Sequence, residues 1–156
     1  MTFLAENDPA LDPRARELIR IGHVAIASED DDALDGFFAQ DFLFHGAAGD
    51  MDLAQTKAFF AVLRATFSSF RCERRHIAVD GDFVGCLTTM SGRFVNPIDL
   101  PPVGTIQPTG SNVSFDLVNL FRYNEAGELA EEWARYDTLG LMTQLGVDTI
   151  GLLGSA

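Results

Sequence analysis

After Ser69 the apolar residues change from helical spacing to alternation. Four long strand-like runs then follow one another: Phe70 to Val79, Phe83 to Phe94, Asn112 to Tyr123 and Glu128 to Tyr136. Asp80-Gly81-Asp82 and Asn124-Glu125-Ala126-Gly127 suit tight turns, so these runs pair as antiparallel hairpins. Before Ser69 the pattern is mostly helical. Asp12-Pro13 supplies a cap and a first-turn proline, and Ala15, Leu18, Ile19, Gly22 and Ile26 carry that helix to about Ala27. The acidic run Glu29 to Asp32 solvates a turn and places negative charge before a short helix marked by Leu34, Phe37 and Phe38. Asp41 to His45 reads as a short strand broken by Gly46 and Gly49. Asp52 to Phe67 is a third helix, with Thr56, Phe60, Leu63 and Phe67 on one stripe. A proline- and glycine-rich loop, Val95 to Ser111, is long enough to form a lid or rim. Thr138 to Leu145 is a closing helix stopped by Gly146.

Helices first and long antiparallel strands after is an α+β order. A strongly curved, mostly antiparallel sheet with the N-terminal helices packed on its concave face encloses a cone. The 13 Phe, against 2 Tyr and 1 Trp, fill that cone or line an apolar pocket within it. At 156 residues the chain has the length of one domain, residues 1–156, with a core over about 12–147 and frayed ends.

Charge narrows the partners. Acids outnumber bases 23 to 11, and a net charge of −12 repels phosphate backbones and anionic lipid, so neither nucleic acid nor a membrane surface is expected. No apolar run approaches the roughly 20 residues of a membrane span, and Met1 to Asp12 does not read as a signal peptide. In the register set by the Asp80-Gly81 turn, Cys72 stands opposite Thr89 or Met90, about 10–13 Å along the strands from Cys86, beyond disulfide reach. Two reduced thiols agree with a reducing compartment, and the cytoplasm is the expected location. No nucleotide-binding glycine loop, Gly-Xaa-Ser-Xaa-Gly motif or paired-histidine metal motif is present, so no cofactor and no metal are expected.

The ending Glu132-Trp133-Ala134-Arg135-Tyr136-Asp137-Thr138-Leu139-Gly140-Leu141-Met142-Thr143-Gln144-Leu145-Gly146 resembles that of the SnoaL-like polyketide cyclases: a Trp, an Asp four residues on, then Gly-Leu and Gln-Leu-Gly. Asp41-Phe42 with His45, the run Lys57 to Phe60, and Pro102 with Pro108-Thr109-Gly110 agree in order, so the resemblance covers roughly Leu18 to Gly146. It implies the cone-shaped α+β barrel of the nuclear-transport-factor-2-like superfamily. Ketosteroid isomerases, scytalone dehydratases, limonene epoxide hydrolases and non-catalytic binding proteins share that barrel. The chain also departs from the family. Gly92-Arg93-Phe94 stands where members often carry Gly-Thr-His, and Leu87-Thr88 stands where an Arg-Trp pair is frequent.

Strand alternation assigns Leu129, Glu131, Trp133, Arg135 and Asp137 to one face. Val113, Phe115, Leu117, Asn119, Phe121 and Tyr123 share another, and both faces are expected inside the cone. The resemblance places the cyclases' catalytic aspartate at Asp137, whose carboxyl would move a proton in an apolar pocket; Asp137 also precedes a helix and suits its N-cap. His45 is a second candidate for proton relay, or a histidine bonded to backbone. Trp133, Phe94, Phe121 and Met90 are read as pocket wall, and Arg135 as a group that orients a substrate carbonyl or snorkels to the surface. Asn119 is a lone amide in an apolar wall; in the ketosteroid isomerase relatives the matching position looks like a carboxylic acid that donates to a substrate oxygen. The resemblance implies cofactor-independent aldol cyclisation, or a related enolate step, on an apolar, polycyclic or polyketide-like carbonyl compound. The same barrel also admits an isomerase, a dehydratase, an epoxide hydrolase or a binding protein without catalysis. A homodimer through the outer sheet face is implied too, and Ser114, Val118 and Leu120 supply a partly apolar outer row for it.

Overall fold

A computed structural model describes residues 2–28, 31–101 and 103–154. Glu29 and Asp30 of the acidic run and Pro102 of the long loop lie outside the described residues. Helix α1 (Pro13–Ile21) starts as its sequence dictates: the Asp12 carboxylate accepts from the Arg14 amide at 2.8 Å, with Pro13 in the first turn. A π-helical stretch, Gly22–Ile26, continues it to the expected end. Helix α2 (Asp31–Phe37) runs directly into strand β1 (Phe38–Gly46). Strand β2 (Gly49–Asp52) turns back on β1, with Gly46 opposite Gly49. Helix α3 (Leu53–Thr66) opens with a capping box in which Asp52 and Gln55 satisfy each other's backbone amides.

Strands β3 (Phe67–Asp80), β4 (Phe83–Phe94), β7 (Asn112–Tyr123) and β8 (Leu129–Tyr136) follow, with a small hairpin, β5 (Ile98–Leu100) and β6 (Gly104–Ile106), inside the long loop. Helices α4 (Thr138–Gln144) and α5 (Thr149–Leu153) end the chain. The main sheet has the order β2-β1-β8-β7-β4-β3, antiparallel throughout except for the β1–β8 pair. One apolar core joins Leu18 and Ile21 of the first helix, Phe60 and Leu63 of α3, and Phe94 and Phe121 of the sheet. The hairpin's Ile98 and Ile106, with Leu141 of α4 and Leu145 at its C-terminal cap, pack onto the same core at the rim. This is the expected α+β cone. Among the described residues no helix is long and apolar enough to cross a membrane.

Several elements differ from the sequence reading. Strand β1 starts at Phe38 rather than Asp41, because a register shift between Phe38 and Leu43 lets Phe38, Ala39 and Phe42 all bury out of simple alternation. Strand β3 begins at Phe67 through a bulge at Ser69, whose φ of 53° is the one positive non-glycine value in the chain's described backbone. Strand β2, the rim hairpin and α5 are additions; each is short, and none carries an apolar pattern of its own. The β3–β4 register is as expected: Cys72 faces Met90, Cys86 faces Ile77, and both buried thiols are free.

The largest correction concerns β8. Leu129 pairs with Tyr123, whereas Glu131 pairs with Arg122, so Ala130 is an extra residue and the phase of β8 flips there. Leu129 and Ala130 are both buried, and beyond them Glu132 and Ala134 face the interior. Trp133 and Arg135, expected inside, face outward opposite Leu120 and Val118. The inner face of β7 is as expected, with Val113, Leu117, Asn119, Phe121 and Tyr123 buried.

Candidate functional site

Four polar side chains from four adjacent strands meet inside this apolar cone: Arg74 of β3, Thr88 of β4, Asn119 of β7 and Glu132 of β8. Each sits on an inward position of its strand, and strand pairing brings Arg74 beside Thr88. Arg74 Nη1 donates a short hydrogen bond to Thr88 Oγ1. Thr88 Oγ1 in turn donates to Asn119 Oδ1 at 2.6 Å, and Asn119 Nδ2 donates to Glu132 Oε1 at 2.8 Å. The bonds run one way, from a cation to a carboxyl, so each polarises the next. Arg74 is 3% exposed and Glu132 8%.

The Arg74 guanidinium lies 5.5 Å above the centroid of Phe121, and Cys86 Sγ is 3.8 Å from Thr88 Oγ1. Burial dominates the electrostatics of Glu132 and pushes its carboxyl up to about 7, although the Arg74 charge and the Asn119 bond both pull it down. Burial likewise pushes both thiols up, so Cys72 and Cys86 stay neutral near pH 7. Among the described residues the cone holds a carboxyl that burial raises toward neutral pH, positioned by an amide and linked through Asn119 and Thr88 to a buried guanidinium.

The expected residues divide into two groups. Asn119, Phe94, Phe121 and Met90 are buried on the inner face, and Asn119 is the centre of the polar chain. His45, Trp133 and Arg135 also come together, but on the outer face. His45 Nδ1 is 2.9 Å from Asp50 and Nε2 is 3.0 Å from Glu131, and its ring stacks on Trp133 with centroids 5.0 Å apart. Arg135 donates to the His45 carbonyl at 2.9 Å, and Arg122 Nε donates to Glu131 at 2.8 Å. The bond to Glu131, then that to Asp50, raises the pKa of His45, and the ring ties β1 to β8 from outside.

Asp137, expected to face the pocket, is exposed and caps α4: its carboxylate accepts from the Gly140 amide at 2.9 Å. A Cβ on Gly140 would lie 2.3 Å from Asp137 Oδ2, so the glycine makes room for the cap. Asp137→Asn is therefore expected to leave stability nearly unchanged, whereas Asp137→Ala lowers it by about 1 kcal/mol, as thermal melts would show. Of the departures from the family pattern, Thr88 belongs to the polar chain, Leu87 is half-buried, and Arg93 Nε donates to the Gly110 carbonyl at 2.8 Å.

Three of the four residues in the chain escaped the sequence reading, in which Thr88 stood only as a departure from the family pattern. Glu132 was hidden by the phase flip at Ala130. Arg74 lies in a charged run, Glu73-Arg74-Arg75-His76, yet it shares the inward alternation of Phe70 and Cys72, a visible signal.

The SnoaL-like polyketide cyclase family profile matches residues 18–145 of this chain. Among curated proteins none matches. Solved structures share the fold. A Jannaschia sp. CCS1 protein named for the SnoaL-like polyketide cyclases is 21% identical, with a TM-score of 0.74, covering 90% of this chain and 99% of its own. TsrD from Streptomyces laurentii is 26% identical, with a TM-score of 0.72 and coverage of 87% and 98%. A Catenulispora acidiphila protein with a ketosteroid isomerase-like fold is 17% identical, with a TM-score of 0.67 and coverage of 88% and 95%.

Proposed function

Because the chain belongs to the SnoaL-like polyketide cyclase family, we propose that it admits a mostly apolar carbonyl compound to the cone and catalyses enolate chemistry without a cofactor. Intramolecular aldol cyclisation is the favoured reaction, with Glu132 rather than Asp137 moving the proton. The observation that carries this reading is a carboxyl 8% exposed, raised to about 7 by burial and held by Asn119. A base must be ionised to take a proton and a good acid to return it, and a midpoint near the working pH serves both steps. A methylene between two carbonyls is already acidic, so folding the substrate and shielding the enolate leave one proton to move.

Incubation with 1,3-dicarbonyl compounds in D2O tests the reading directly. Enzyme-dependent deuterium uptake at the methylene, followed by NMR, supports it; binding without exchange selects a non-catalytic apolar-ligand protein instead. A structural or interaction role without catalysis is favoured by the fully buried Phe42, Phe94 and Phe121, which occupy much of the interior.

We further propose a homodimer through the outer sheet face. Val118 is 60% exposed there, beside Leu120 and Phe83, and the half-buried Trp133 pairs with Leu120 on the same face. A second copy supplies an equivalent apolar row, as two-fold self-association requires. Light scattering at tens of micromolar is expected to give the dimer mass, and Val118→Arg the monomer mass. A wild-type monomer would contradict the proposal. The two buried thiols support a reducing, cytoplasmic location.

A further inference from the structure

In the polar chain and beside it, two buried donors are unspent. Arg74 Nε and Tyr123 Oη have no hydrogen-bond partner, although Arg74 is 97% and Tyr123 95% removed from solvent by their relative exposures of 3% and 5%. Among the described residues, no carboxylate lies within ion-pair distance of the Arg74 guanidinium. A buried cation with no carboxylate at ion-pair distance is costly; Thr88, the Phe121 face and the Cys86 thiol lie against it, and the Glu132 carboxyl acts on it from farther off. The Arg74 charge also acts on Tyr123, opposing the burial that raises its hydroxyl. Tyr123 in turn lines a depression of about 280 Å³ with Arg14, Glu17 and Phe37.

We propose that Arg74 Nε–H and Tyr123 Oη–H together receive an enolate oxygen of the ligand. This rests on the enolate reading of the cone. The step balances within the site: Glu132 takes the methylene proton, the C–H electron pair forms the enolate C=C bond, and the carbonyl π pair moves onto oxygen. The negative charge thus leaves a carboxylate that burial disfavours and arrives at an oxygen facing an unpaired guanidinium. Arg74 and Glu132 occupy opposite ends of the hydrogen-bonded chain, so the proton acceptor and the charge acceptor are separate groups.

Two probes of similar ring size separate these ideas: 1,3-indandione, whose methylene lies between two carbonyls, and indane, which has no carbonyl oxygen. Enolate absorbance of the diketone, titrated with and without protein, is expected to shift its ionisation down by at least about one pH unit on binding, tenfold in the acid dissociation constant. Arg74→Gln should abolish that shift, and Tyr123→Phe should reduce it severalfold; both should leave binding of indane, which offers these donors no oxygen, within twofold. Tyr123→Phe removes only an unpartnered oxygen and is expected to fold normally, so it remains informative if Arg74→Gln does not fold. A shift unchanged in Tyr123→Phe, or equal loss of both probes, overturns the oxyanion assignment and leaves the enolate reading standing. Failure of both probes to bind the wild type overturns the enolate reading and this inference with it.

Discussion

Glu132→Gln is expected to lower turnover by about 100-fold or more while making the protein more stable above pH 7. The two effects share one cause. In the unfolded chain the carboxyl titrates near its ordinary 4.5, and in the folded chain burial raises it to about 7. A group whose folded pKa is raised contributes its full stability at low pH and loses it as pH climbs from the unfolded to the folded value. That displacement corresponds to a loss of about 3 kcal/mol by pH 8. Glutamine cannot ionise, so it avoids the loss, and its amide oxygen still accepts from Asn119 Nδ2. Urea midpoints at pH 5 and pH 8 check this: the gain of the variant over wild type should be small at pH 5 and approach its full size at pH 8. A cap or surface carboxylate would give neither the pH-dependent gain nor the loss of turnover.

The second large effect is purely steric. Gly22, where α1 passes into its π-helical stretch, lies against the backbone of Cys72 on β3; a Cβ there would sit 2.8 Å from the Cys72 carbonyl oxygen. Backbone on both sides leaves no flexible side-chain end to yield, so Gly22→Ala is expected to cost about 2–3 kcal/mol by overpacking. Gly36 in α2 is the matched control, because a Cβ there meets nothing within 4 Å. Gly36→Ala should stabilise by about 0.5–1 kcal/mol through helix propensity. Chemical denaturation of both variants separates the close approach from the general effect of removing a glycine.

The sequence made the long strands legible because their apolar alternation is sustained and their turns carry glycine. Strands β4 and β7 occupy the expected residues, and Cys72 faces Met90 as the turn register requires. What stayed hidden were breaks in the period. Ala130 looks like any inward alanine, yet as an extra residue it exchanges Trp133 and Arg135 for Glu132 and Ala134 on the inner face. Asn119 was legible as an amide in an apolar wall, but its partners came from strands whose phases depend on such bulges. The C-terminal resemblance pointed to the right family while directing attention to Asp137, where local helix chemistry, the amide of Gly140, claims the carboxylate.

The central claim is that one carboxyl inside the cone exchanges its proton near neutral pH. A carboxyl-carbon NMR titration of glutamate-labelled protein tests it, with Glu132→Gln assigning the resonance. The account predicts a Glu132 midpoint near 7; a midpoint near 4.5 would contradict it.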